Sequence, residues 1–395
     1  MRLGANMQQI YTGIDIGTYH VKVVIAEASN VLSEPLRVIG IGSSASKGMR
    51  HGYIVNTGDA TRSIKEALKI AQQASKRRVR SVRVALGGVG LDELHSTGEV
   101  PLTTSGGEVE SRDIDRAIED SEKRISAQLV NRKVIHAIPI RYRVDGKDVL
   151  GRAVGMRGSK LSVDTLLITA FEQHLADIIE AVEEAGVEVE DVMASPLAAS
   201  LVTLTKAQKI AGVVLANIGA ETLSIAIFEN DVPVSVKVMP SGSSDITNDI
   251  ALSMKVSLTE AEQMKRGAIT KTDVSRKKVE DVVASRLKDI FGLIDAHLKV
   301  IDKHRLLPAG IVITGGGSGL TNARDLAKAT LHLPSQIGSL PSPTRAMSTD
   351  ATWAVAFGLC RWGYSSDQRE HEGGLSGIFS GIGRGITRGL RSLLP

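Results

Sequence analysis

Apolar and polar residues alternate along two segments that superimpose at a constant offset of 202 residues. In the first, Ile14-Asp15-Ile16-Gly17 leads into Val21, Val23 and Ile25; in the second, Ala216-Asn217-Ile218-Gly219 leads into Leu223, Ile225 and Ile227. Each reads as a strand, a tight Gly turn and a second half-buried strand, a β-hairpin opening an α/β unit. After the first copy the pattern predicts a strand over 35–43, a helix over 59–76 and a strand over 81–86. After the second it predicts an Asn230-Asp231 turn, a strand over 232–239 and then helices. Two similar halves imply a duplicated fold with a cleft between the copies.

Between 87 and 164 the period changes. A polar stretch with Gly and Thr precedes a helix near 113–124, and alternating strands follow around 133–144 and 161–170, which reads as a small inserted α+β module. The strand ending at Ala170 feeds a helix over 172–185, closed by Gly186 as a C-cap. In the second half, 241–305 is mostly helical; a fully apolar strand over 310–314, a glycine loop and a helix from Thr321 then follow.

The C-terminal segment 375–395 has its own pattern. Leu375, Ile378, Phe379, Ile382, Ile386, Leu390 and Leu393 step by three or four and share one helical face, while Arg384, Arg388 and Arg391 fall opposite with no acidic residue among them. Such a helix lies in a membrane interface rather than spanning it. Its five interior glycines cost about 1 kcal/mol each in a helix, so it is expected to fold on contact with a bilayer. The bland alternative is a terminal helix docked on the protein's own core.

Composition narrows the setting. Of 395 residues 42% are hydrophobic and 23% charged, the balance of a globular body, and no apolar run is long enough to span a bilayer. The N-terminus lacks an apolar signal-peptide core, and the single Cys360 sits in an apolar run, so a buried thiol in a reducing cytosol is expected. The net charge of +4 suits an anionic membrane; no basic stripe interleaved with aromatics favours nucleic acid. His136, His174 and His297 form no ligand cluster and are expected at surface or helix positions.

Three loops carry candidate chemistry. In Gly13-Ile14-Asp15-Ile16-Gly17-Thr18, the turn aims backbone N–H groups and the Thr18 hydroxyl at an anion, with Asp15 able to reach a hydrated divalent metal. The same spacing also makes an ordinary Asp-x-Gly turn. The run from Ile311 through Gly315, Gly316 and Gly317 to Gly319 lets backbone approach a ligand at a helix N-terminus. Neither G-x-G-x-x-G nor G-x-x-x-x-G-K-[ST] spacing occurs, so dinucleotide and P-loop folds lose support.

The two hairpins and the glycine loop, in this order and spacing, resemble the actin-like ATPase superfamily. Within it the chain resembles the FtsA family of bacterial cell-division proteins, over about 11–362 and again in the tail. The resemblance rests further on Ser46-Lys47-Gly48-Met49-Arg50-His51-Gly52-Tyr53, on the inserted module, and on Asp245 to Ile250 followed by Ala261-Glu262-x-x-Lys265-x-Gly267. It implies an actin-like (ribonuclease-H-like) α/β fold of two duplicated domains with a cleft. The first core would be 1–86 and 165–205, with 341–363 returning to it; 87–164 would be the inserted α+β subdomain. The second core would be 206–240 and 306–340, 241–305 a helical insert, 364–374 a linker, and 375–395 the membrane-targeting amphipathic helix.

The same resemblance implies ATP or ADP with Mg2+ in the cleft. Its contacts would be Asp15, Gly17 and Thr18, then Asn217, Gly219 and Thr222, then Glu262 and Lys265, then Gly315, Gly316 and Gly317, with Asp15 reaching the metal through water. Glu262 and Lys265 also fit an ordinary i,i+3 ion pair. Implied partners are the FtsZ C-terminal tail at the basic run with Lys271, Arg276, Lys277 and Lys278, further copies in a filament, other division proteins and anionic inner-membrane lipid. The implied location is the cytoplasmic face of the plasma membrane at the division site. One departure matters. Where the family has Asp-Ile-Gly-Gly-Gly-Thr-x-Asp, this chain has Asn217-Ile218-Gly219-Ala220-Glu221-Thr222-Leu223-Ser224. A neutral Asn217, lost glycines and an anionic Glu221 beside the phosphates predict weakened ATP binding and slow or absent hydrolysis. A sugar or acyl kinase would need the carboxylates missing here, and a pilus-assembly adaptor, similar in body and insert, generally ends without such a tail.

Overall fold

The hairpin turns place strands whose alternate residues must be shielded on both sides, and the chain shields them twice in the same way. A computed structural model describes residues 9–29, 36–103, 106–268, 275–340 and 350–372, with side chains as far as 368. The first lobe contains β1 (Ile10–Ile16), β2 (His20–Ala28), β3 (Leu36–Ala45), the short pair β4 (Met49–Arg50) and β5 (Tyr53–Ile54), α1 (Thr57–Ser75) and β6 (Ser81–Leu86). An insert follows with β7 (Asp92–Pro101), α2 (Ser111–Arg124), β8 (Arg132–Val144), β9 (Lys147–Val149) and β10 (Lys160–Phe171). The chain returns to the first lobe through α3 (Glu172–Glu184), β11 (Glu188–Ala194) and α4 (Ser195–Thr203). The second lobe comprises α5 (Lys206–Ala211), β12 (Val213–Ile218), β13 (Leu223–Glu229), β14 (Val232–Met239), α6 (Ser243–Met254), α7 (Leu258–Lys265), α8 (Arg276–Val300), β15 (Ile311–Thr314), α9 (Ala323–Leu331) and β16 (Ser335–Ile337). Helix α10 (Ala354–Glu372) closes back on the first lobe.

The two lobes carry one topology. The five-stranded orders are β11-β6-β1-β2-β3 and β14-β13-β12-β15-β16, each with an antiparallel meander on one side and parallel strands on the other. Register agrees as well: Asp15 pairs with Lys22 as Asn217 pairs with Ser224, and Ile14 with Val23 as Ala216 with Ile225. Val21, Val23, Val24 and Ile25 are fully buried, so both faces of β2 are covered, and the hairpin turn at Gly17 sets the register.

The insert is a four-stranded antiparallel sheet, β7-β10-β8-β9, with α2 on one face. The stretch around 96–101, expected to be an irregular polar connection, is part of β7 and pairs with β10 along its whole length, from Asp92 opposite Thr169 to Pro101 opposite Lys160. Gly98 lets α2 lie directly on the strand, for a Cβ there would sit 1.7 Å from the Ala117 carbonyl oxygen. Ile135, Ile138, Leu166 and Ile168 from the sheet's other end join the first lobe's core, so the insert is welded to that lobe. It also touches the second: Lys237 Nζ lies 2.7 Å from Asp92, and Ser235 on β14 donates to Glu93 at 2.8 Å.

His136 departs from the surface or helix placement expected of it, whereas His174 is on a helix as expected. His136 is buried on β8, its Nε2 accepting the Ala194 amide at 3.0 Å, and burial pushes its pKa down to about 4. His174 on α3 is buried too, with Nε2 donating to the Gly87 carbonyl at 2.9 Å. Cys360 is buried on α10 against the Tyr11 and Val24 carbonyls, and burial pushes its thiol up to about 12. Helix α10 lies so close to β1 that a Cβ on Gly13 would meet the Ala356 carbonyl oxygen at 2.1 Å. The segment from Tyr364, expected as a linker, is helical to Glu372 because it extends α10, with Tyr364 edge-on to Tyr11 at 5.9 Å. The proposed membrane segment 375–395, the returning residues 341–349 and Lys271 lie outside the described residues.

Candidate functional site

A cavity of 1050 Å³ runs between the lobes and is floored by the two hairpin turns. The turns are built alike. Gly17 N–H donates to His20 O at 3.2 Å and Gly219 N–H to Thr222 O at 2.8 Å. A Cβ would stand 2.9 Å from His20 O in one and 3.0 Å from Thr222 O in the other, so each turn needs its glycine. The glycine loop after β15, entered at Gly315 with φ 81°, joins them.

Asp15 sits half-buried at the end of β1 directly across from Lys22. Burial pushes its carboxyl up to about 6 although the Lys22 charge pulls the other way. Lys22 is held below its ordinary value by burial, opposed by Asp15 and Asp350. Its Nζ donates to Thr352 O at 2.6 Å and lies 5.7 Å from the Trp353 ring centre. This lysine was not singled out from sequence. The signal was present, because a hairpin closing at Gly17 must set position 22 opposite position 15.

The second turn differs from the expectation in two ways. Neither Ala220 nor Glu221 adopts positive φ, so the missing glycines leave no backbone strain. The Gly219 and Ala220 carbonyls accept Ser243 and Ser244 N–H groups at 2.9 and 2.7 Å, occupying free donors at the start of α6. Glu221 also does not add an anion beside the phosphate loop. It is not among the residues lining the cavity, because its carboxylate turns across to the first lobe and accepts the His51 amide at 2.6 Å.

The helical side of the cleft carries a compact polar cluster. Lys265 Nζ lies 2.6 Å from Glu262 Oε2 and donates to Ser243 O at 3.0 Å and to Thr247 Oγ1 at 2.8 Å. Burial would raise the Glu262 pKa, but hydrogen bonds from Lys265, Thr247 and Arg266 hold it below the usual value. The two residues thus form the i,i+3 pair and also line the cavity. Every other residue singled out for the nucleotide lines the cavity except Gly317, which is buried under Ile218, where a Cβ would lie 2.4 Å from Cγ2. Arg276, read with the partner-binding patch, lines the cleft and pairs with Glu280 at 2.9 Å; Lys277 and Lys278 are exposed on the first turn of α8.

Residues 214–358 match the family model for cell division protein FtsA, and residues 88–169 match that for the SHS2 domain inserted in FtsA. The cell division protein FtsA of Pseudomonas aeruginosa is 30% identical over 351 residues, spanning 84% of this chain and 83% of that one. The chain belongs to the FtsA family of cell division proteins. FtsA of Bacillus subtilis is 28% identical over 352 residues, covering 83% and 78% of the two chains, and FtsA of Escherichia coli K12 is 25% identical over 395, covering 92% of each. Among solved structures, a PilM–PilN type IV pilus biogenesis complex superimposes with TM-score 0.66 at 20% identity over 90% of this chain and 98% of that one. MreB5 of Spiroplasma citri bound to ADP superimposes with TM-score 0.53 at 13% identity over 93% and 99%. At such identities the likeness is one of fold, and the fold is actin-like, the one the FtsA resemblance implied. The pilus-assembly reading has only this shared fold behind it, whereas the FtsA reading has sequence.

Proposed function

We propose that this FtsA holds ATP or ADP in the interlobe cleft as a conformational ligand, with little hydrolysis, and anchors FtsZ polymers at the cytoplasmic face of the plasma membrane. The supporting observation is the pair of identically built glycine turns facing one another across the cavity, with Lys22 and Lys265 supplying positive charge at its edges. The residues fit a Mg2+-nucleotide sparingly. Asp15 offers one carboxylate for a hydrated ion and Asn217 a neutral oxygen, while no group of three His, Cys, Asp or Glu is placed to hold a metal among the described residues. With Asn217 and Ser224 where the family carries carboxylates, the second turn presents no carboxylate to the cavity that could take a proton from an attacking water, which supports slow turnover.

Membrane attachment is read from the pattern of 375–395. Burying about seven apolar side chains at about 1.5–3 kcal/mol each outweighs about 5 kcal/mol of glycine cost, and each Arg adds attraction to anionic lipid. No described helix is long and apolar enough to cross a bilayer, in keeping with a peripheral anchor. For the acidic FtsZ tail, Arg276, Lys277 and Lys278 are exposed cations that suit steering. Self-assembly into filaments completes the proposal. Two measurements test it: titration of the full chain with fluorescent ATP, and co-sedimentation with phosphatidylglycerol vesicles against a 1–374 truncation. Saturable nucleotide binding and a loss of sedimentation on truncation are expected; equal sedimentation of both chains removes the anchor.

A further inference from the structure

Two side-chain bridges spring from the hairpin turns and cross between the lobes: Tyr19 and Arg266 line the cavity, whereas Glu221 and His51 stand outside its lining. Glu221 of the second lobe accepts the His51 amide of the first at 2.6 Å, and its own carbonyl stands 3.4 Å from His51 Nδ1. The loop presenting that amide has little slack. His51 has φ 48° and Gly52 φ 83°, a Cβ on Gly52 would lie 2.3 Å from Gly88 Cα, and Gly48 O accepts both Val55 and Asn56 N–H groups. At the second bridge Arg266, at the end of α7, donates through Nη2 to the Tyr19 hydroxyl at 2.8 Å, with the guanidinium 5.6 Å from the ring centre. Its Nε is held from behind by Glu262 at 2.8 Å. A carboxylate on an amide and a guanidinium over an aromatic ring both outlast an ordinary surface contact.

We propose that Glu221–His51 and Arg266–Tyr19 form a two-point latch that keeps the lobes closed and sets the rate at which nucleotide leaves. The inference rests on the reading that the cleft holds a nucleotide. Glu221 occupies a position where the family pattern has glycine, which has no side chain to reach His51, so the first bridge is a property of this chain. Glu221 also stays out of the cavity lining, so its side chain makes no contact with a nucleotide there, and Glu221→Gln separates loss of the bridge from loss of the charge.

The test uses Glu221→Ala, Tyr19→Phe and the double variant in the full chain, with Glu221→Gln retaining an acceptor oxygen. Spin labels on Gln73→Cys and Lys328→Cys, both exposed and on opposite lobes, report the interlobe distance; native Cys360 is buried and escapes labelling. Without nucleotide, the double variant should show a broader and longer distance distribution than the parent, and Glu221→Gln a parent-like one. Dissociation of a fluorescent ATP analogue chased with unlabelled ATP should quicken by about tenfold in Glu221→Ala, the worth of one charge-assisted hydrogen bond. Unchanged distances overturn the latch whether or not nucleotide binds. Widened distances with an unchanged dissociation rate overturn its control of exchange. If the parent binds no nucleotide at all, the nucleotide reading falls, and the distance measurement alone decides whether the lobes are latched.

Discussion

Replacing Asp15 with Asn should stabilise the nucleotide-free protein at neutral pH and leave it unchanged only below about pH 3. The carboxyl is pushed from 3.8 to about 6, burial outweighing the attraction of Lys22 across the hairpin. At about 1.36 kcal/mol per unit this difference corresponds to at most about 3 kcal/mol, and partial exposure reduces it to about 1–2 kcal/mol. The sign follows from linkage. Below about pH 3 the group is protonated in both states, so its effect is nil; as pH rises through 3.8 towards 6 the unfolded chain ionises first and native stability falls. Asn copies the protonated form and escapes that loss. Urea unfolding of both proteins at several pH values should therefore give curves that converge towards about pH 3 and diverge to a plateau above about pH 7, with Asp15→Asn the more stable. A gap of constant size at every pH, or a less stable variant at neutral pH, would mean that the Lys22 attraction outweighs burial and would refute the reasoning.

Asn217→Asp restores a charge that can orient metal-bound water, so it should tighten ATP binding several-fold with Mg2+ present and leave binding in EDTA unchanged or weaker; a titration under both conditions reads this directly. Gly98→Ala drives a methyl to within 1.7 Å of the Ala117 carbonyl and should destabilise the insert by about 1–3 kcal/mol in urea unfolding, whereas Gly146→Ala, with open space around its Cβ, should be felt only through its positive φ.

The duplicated hairpins were legible because the same apolar positions and the same Gly turn recur at a constant offset, and the turn sets register, so the offset between motifs carried over into identical pairings in space. Strand β7 was not legible. Its residues are mostly half-exposed, a glycine sits where α2 crosses it, and what makes it a strand is pairing with β10 some seventy residues later. The helical run through Tyr364 was hidden by its polar composition, although no Gly or Pro follows Gly363 before Glu372 to stop a helix. At the site, Asp15, the two turn glycines and the Glu262–Lys265 pair were readable from local spacing. Glu221 was not, since its partner His51 is 170 residues away and only the folded loop exposes that amide. Arg276 was grouped with its basic neighbours by sequence proximity; like Lys277 and Lys278 it is exposed, and it also lines the mouth of the cleft.

Helix α10 determines which half of the molecule is the stationary one. It rests on β1 through the close approach at Gly13, and the described chain leaves it at Glu372, on the first lobe. A tail held at a surface would therefore fasten that lobe and its welded insert like a vice. The other lobe, bearing Lys277 and Lys278, would be the swinging jaw, and any opening at the cleft would be felt as travel of those two cations relative to the bilayer.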